Sequence, residues 1–124
     1  GNTGPFVQYT HARIRSIMRK ADEAGINTDS YTSAPLLPEE VELIKALSEY
    51  PATVRTAGQQ FAPSVVAAYA YDLAKQFNGY YHDHSILKEE NEAVRALRLK
   101  LASEVARTIR SAMSLLGIAV HERM

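Results

Sequence analysis

The chain has no cysteine, which excludes a disulfide framework and a thiolate metal site and leaves nothing that points to secretion. It also has no long hydrophobic run. Charge interrupts every apolar stretch within a few residues, so no segment could span a bilayer. No Gly-rich phosphate loop precedes a helix, and no Gly-x-Ser-x-Gly elbow occurs. The opening Gly1-Asn2-Thr3-Gly4-Pro5 has neither the basic start nor the apolar centre of a signal peptide, and is too short to cradle phosphate. These gaps make the sequence a poor candidate for a self-contained enzyme. A start at Gly rather than Met is expected of a piece of a longer protein.

What is present fits one globular domain over residues 1–124, with 46% hydrophobic and 23% charged residues. Formal net charge is zero, but its distribution is uneven. Residues 1–20 carry Arg13, Arg15, Arg19 and Lys20 without an acid, giving +4. Residues 95–124 carry Arg95, Arg98, Lys100, Arg107, Arg110 and Arg123 against Glu104 and Glu122, again +4. The middle, 21–94, is left at −8. Basic ends around an acidic middle would form one positive surface if the first and last helices meet. Charge alone is equally served by solvated helix faces with local pairs, the plainer reading.

The hydrophobic period is helical nearly throughout. Val7, Ile14, Ile17, Met18, Ala21 and Ala24 recur at three- and four-residue steps, with Pro5 suited to a first turn and Gly25 to a C-terminal cap. A polar connector follows from Ile26 to Leu37. Pro38-Glu39-Glu40 opens a second helix, with Val41, Ile44, Leu47 and Leu43 as its core face. Pro51 begins a short third helix that turns Val54, Ala57 and Phe61 inward. Pro63 begins a fourth, carrying Val66, Ala70, Leu73, Ala74 and Phe77 and broken at Asn78-Gly79. After a loop from Tyr80 to about Leu87, the longest helix runs from about Glu89 to Leu116 along Val94, Leu97, Leu101, Val105, Ile109 and Ala112. Gly117 caps it. The pattern predicts an all-α fold, a bundle of about five helices with short connections.

His82-Asp83-His84 has the look of a metal site, but alternating ligands meet one ion only on a strand or shaped loop and a third is lacking, so polar loop residues are the plainer reading. The neighbouring Phe77, Tyr80 and Tyr81 say more. Tyr80 and Tyr81 are adjacent, so at most one points fully inward. An exposed ring on a loop suits a partner, and unstacked RNA bases, read by aromatic stacking and by hydrogen bonds to their edges, are one such partner. A protein partner serves equally on these residues alone.

Three segments carry a family resemblance. Phe6-Val7-Gln8-Tyr9-Thr10-His11-Ala12-Arg13-Ile14-Arg15-Ser16-Ile17 resembles the segment after the catalytic domain of arginyl-tRNA synthetases, with Thr10 where Ala is usual. Gly1 to Pro5 looks like that family's lead-in. Tyr71 through His82 is similar to a second family stretch, with Ser85-Ile86-Leu87 in place of the usual Pro-Val-Leu-like triplet that follows. Arg98-Leu99-Lys100-Leu101, Leu115-Leu116-Gly117-Ile118 and the final Glu122-Arg123-Met124 resemble the closing helix and end.

The resemblance implies a DALR-type anticodon-binding bundle, shared with some other class I synthetases. It implies a parent enzyme that joins arginine to tRNA using ATP in the cytoplasm. The ATP-binding motifs of the catalytic domain do not occur here, so this piece is expected to hold tRNA without reacting and to need no cofactor or metal of its own. The implied partners are the anticodon loop of tRNA(Arg) and the catalytic domain of the same polypeptide. Carried onto this sequence, the family's anticodon contacts fall on Tyr80, Tyr81, His82, Arg123 and Met124. Arg13, Arg15, Arg19 and Arg110 are candidates for phosphate contacts, although Arg13 and Arg15 lie about 200° apart on a helix and cannot face the RNA equally. Two rivals stand beside this reading: the corresponding domain of another class I synthetase, such as a cysteinyl one, and a helical protein-interaction module.

Overall fold

Proline starts and glycine stops divide the chain. The computed structural model describes residues 3–26 and 34–117. Its helices are α1 (Thr3–Glu23), α2 (Pro38–Ser48), α3 (Tyr50–Gln60), α4 (Pro63–Asp83) and α5 (Glu92–Leu115), with no strand among the described residues. Only Glu49 separates α2 from α3, so the pair can equally be counted as one bent helix. Pro38, Pro51 and Pro63 each stand in a first turn, where a missing N–H is no loss. α1 closes on Gly25 at φ 72°, with the Ile26 N–H bonded to the Ala21 carbonyl at 3.0 Å and the Gly25 N–H to Asp22 at 3.0 Å, a Schellman end. At the start of α5, Asn91 accepts the Val94 N–H on its side chain at 3.1 Å.

α4 and α5 pack together, α1 lies against both, and α2 and α3 wrap the outside, α3 along α4. The shared core is Ile14 and Val7 from α1, Leu73, Ala74 and Phe77 from α4, and Leu99, Val105 and Ile109 from α5. No helix is long and apolar enough to cross a membrane among the described residues.

Three sequence expectations are corrected. Asn78-Gly79 does not break α4, which continues to Asp83; Asn78 is committed to tertiary hydrogen bonds, and the burial of Phe77 and Tyr80 on either side outweighs the roughly 1 kcal/mol helix penalty of a glycine. The connector is therefore 84–91, and Tyr80, Tyr81 and His82 ride on the last turn of a helix. Phe61 does not turn inward: it ends α3 at φ 52° and is 92% exposed. On α2, Ile44 is exposed and the fully buried positions are Glu40 and Leu43, because the seam against α4 and α5 follows 40, 43 and 47.

Candidate nucleic-acid interface

α1 and α4 run side by side in one direction, and their seam is built of paired residues. Phe6 meets Tyr71 edge-on at 5.5 Å between ring centres. One turn along, Asn78 donates through Nδ2 to Thr10 Oγ1 and to the Ala74 carbonyl, both at 2.8 Å. The Thr10 hydroxyl in turn donates to the Phe6 carbonyl at 3.0 Å. Asn78 Oδ1 accepts from Arg13 Nη1 at 2.7 Å. The Arg13 guanidinium then lies over Tyr81, 4.5 Å from the ring centre, and Tyr81 stacks on Phe77 at 5.9 Å and 10°. Arg13 and Tyr81 are half-buried, whereas Phe77 is fully buried, so this column rises from the core to the surface.

Arg15 leaves α1 on the other flank, as its angular separation from Arg13 requires. With His11, Ser103, Ala106, Arg107 and Arg110 it lines a groove of about 210 Å³ between α1 and α5. The basic residues of the first and last helices do meet. His11 is buried, Arg15 half-buried, and Arg107 and Arg110 exposed; Arg107 pairs with Glu104. Arg19 is half-buried on α1, one turn beyond Arg15.

Tyr80, by contrast, is only 3% exposed, and its ring is closed to a base. Its hydroxyl donates to Glu40 Oε2 at 2.7 Å, and burial, with this bond second, raises its pKa well above the ordinary tyrosine value. His82 is exposed on the last turn of α4. His84 caps the helix with its ring 5.3 Å from Tyr80 and 2.6 Å from the Glu39 carboxylate. That contact lowers the Glu39 pKa. Among the described residues, no three His, Asp or Glu side chains group as metal ligands, and Arg123 and Met124 lie outside the described residues.

Asn78, Thr10, Glu40, Arg98 and Arg107 are residues of the site that the sequence pattern does not single out for it. Thr10 did carry a signal, since a hydroxyl stands where the resembled motif has Ala, and that hydroxyl is half of the Asn78 bond. Arg98 stands between Leu97 and Leu99, both buried, and is itself nearly buried.

Superposition on the structure of the Thermus thermophilus arginyl-tRNA synthetase covers all of this chain and 21% of that one, with a TM-score of 0.83 and 36% identity. The bundle is thus the helical anticodon-binding fold of a class I synthetase. Arginine–tRNA ligases of Phocaeicola vulgatus and Porphyromonas gingivalis are 51% and 52% identical over 126 aligned residues that include the whole chain. Residues 7–124 match the family described as "DALR anticodon binding domain", and the chain belongs to that family. It spans about a fifth of the length of those relatives, 21% in each case.

Proposed function

We propose that this chain is the tRNA-holding part of an arginine–tRNA ligase and recognises the anticodon loop of tRNA(Arg). In this reading the rest of the polypeptide binds ATP and arginine and performs the aminoacylation in the cytoplasm, and these 124 residues supply no reacting group. The observation that carries the reading is the double role of α1. Its Arg13 flank reaches the Tyr81 column, and its Arg15 flank reaches the groove shared with Arg107 and Arg110. Bases and backbone of one RNA loop present those two chemistries, π faces and edges on one side and phosphates on the other.

All arginine codons have G in the middle, so every arginine tRNA has C at the middle of its anticodon. Cytosine's edge needs a donor and acceptors close to a stacking surface. In the Phe77–Tyr81–Arg13 column the guanidinium is the outermost plane and offers the stacking surface, and His82 and the 84–91 connector beside it offer the donors and acceptors. The first anticodon base varies and is tolerated rather than read. Arg15, Arg19, Arg107 and Arg110 take phosphates, and Arg123 and Met124 complete the family's pattern.

The test is a salt titration of anticodon stem-loop binding. Each phosphate contact contributes about one unit to the slope of log K against log salt, so Arg15→Ala or Arg110→Ala lowers the slope by about 1. An unchanged slope in both variants takes the groove out of the RNA path. A protein-contact reading has one observation in its favour: Phe61, 92% exposed, edges an apolar hollow of about 430 Å³ with Val54, Ala57, Val66, Leu115 and Leu116. That hollow suits the catalytic domain of the same polypeptide, and contact there would be insensitive to salt.

A further inference from the structure

A buried charge cluster lies where α2, α4 and α5 converge. At its centre Glu40, 1% exposed, accepts the Leu37 N–H on Oε1 at 2.7 Å and the Tyr80 hydroxyl on Oε2 at 2.7 Å. Arg98 from α5 supplies the counter-charge, with Nε 4.0 Å from Glu40 Oε2 and its side chain only 12% exposed. The same guanidinium reaches out to the connector 84–91, where Nη1 donates to the Ser85 carbonyl at 2.6 Å and to the Glu89 carboxylate at 3.2 Å. Ile86, fully buried, is the connector's other anchor.

A buried ion pair is weak evidence for stability, because apolar residues of the same volume often serve as well once desolvation is counted. What apolar packing cannot supply is direction. A planar guanidinium whose Nη1 donates at once to a backbone carbonyl and a carboxylate fixes where that backbone stands. Arg98 joins the underside of the last turn of α4, through Glu40 and Tyr80, to the segment that leaves it. Tyr81 and His82 are on that turn, beside the connector.

We propose that Arg98 is a positioning residue for RNA recognition. By bridging Glu40 to the 84–91 connector, it sets the placement of Tyr81, His82 and the connector backbone against the anticodon loop. This inference rests on the functional reading above, and its role is distinct from phosphate binding, since the guanidinium faces inward to Glu40, Ser85 and Glu89.

Arg98→Lys keeps the charge beside Glu40 and removes the planar guanidinium, and Glu89→Gln loosens the connector without touching the buried carboxylate. Both are compared with the native chain by amide hydrogen exchange and by binding to the tRNA(Arg) anticodon stem-loop, at a temperature where all three are folded. In Arg98→Lys the connector amides lose protection while those of α1 and mid-α4 keep it. Stem-loop affinity falls by at least about fivefold, the equivalent of one lost base contact, and the salt slope is unchanged. Glu89→Gln shows the same pattern more weakly. Unaltered protection over 84–91 in Arg98→Lys overturns the positioning role. So does a loosened connector with native affinity. Failure of the native chain to bind the stem-loop overturns the functional reading and the positioning role with it, while the exchange pattern still decides whether Arg98 holds the connector.

Discussion

The guanidinium of Arg13 lies 4.5 Å from the centre of the Tyr81 ring, and the same side chain donates to Asn78 at 2.7 Å. A flat cation held by a fixed hydrogen bond over an aromatic face orders both partners before any ligand arrives. A double-mutant cycle on Arg13→Ala and Tyr81→Ala isolates that pair from the Asn78 bond and from the Phe77 stack. The expected coupling is about 0.5–1 kcal/mol, read from urea unfolding of the four proteins. Additive effects would mean that the two side chains do not support each other.

Phe61→Gly is expected to stabilise the chain. The phenylalanine occupies a left-handed conformation at φ 52° and is 92% exposed, so it carries backbone strain with little burial to offset it. The end of α3 has the same bond pattern that Gly25 completes after α1: Ala62 N–H to the Ala57 carbonyl at 2.9 Å and Phe61 N–H to Gly58 at 3.3 Å. A glycine relieves about 0.5–1 kcal/mol of that strain, visible as a higher urea midpoint. A drop in stability would show that the ring makes contacts that offset it.

That residue also shows what the sequence could and could not disclose. Helix starts were legible because proline has one favoured place in a helix, and the stops at Gly25 and Gly117 because only glycine takes a positive φ without strain. Phe61 carried no such mark, and its ring was assigned inward on hydrophobicity alone. Asn78-Gly79 misled for the opposite reason: the local signal for a break was real, but Thr10 and Arg13, more than sixty residues away, supply the bonds that keep the helix intact. The meeting of basic groups on α1 and α5 was legible in charge distribution. The buried Glu40–Tyr80 bond was not, since nothing local distinguishes a glutamate in a first turn that faces water from one that faces the core.

Phe77→Ala tests the floor of the column. Phe77 is fully buried in the core cluster, and its ring carries Tyr81. Truncation should lower the unfolding free energy by about 3–5 kcal/mol, measured by chemical denaturation. A loss below about 1 kcal/mol would contradict its placement in the core.

Stability should fall at both ends of the pH range, for opposite reasons. Tyr69, whose hydroxyl donates to the Ala46 carbonyl at 2.6 Å, is pushed up to about 12, chiefly by burial, and Tyr80 is raised as well. The native state holds these protons after the unfolded chain has released them. Their contribution is whole below the ordinary value of 10.0 and is lost as pH rises from there toward the native values. Tyr69→Phe therefore flattens the loss of urea midpoint between about pH 10 and 12. Glu39 behaves in reverse. Its pKa is lowered by the His84 contact, so its contribution is present above the ordinary 4.5 and is lost as pH falls below it. His84→Ala reduces that acid-side decline, and identical pH profiles for native and variant chains would contradict the assignment.

The most direct test of the account is binding of this chain, at low salt, to two stem-loops of tRNA(Arg) that differ only in the middle anticodon base. The account predicts that the loop with C binds more tightly than the loop with G, through hydrogen bonds to the base edge, and that Tyr81→Ala weakens binding of the C loop by about 1–3 kcal/mol. Equal binding of the two loops would contradict it and reduce the domain to a basic surface that docks RNA without reading it.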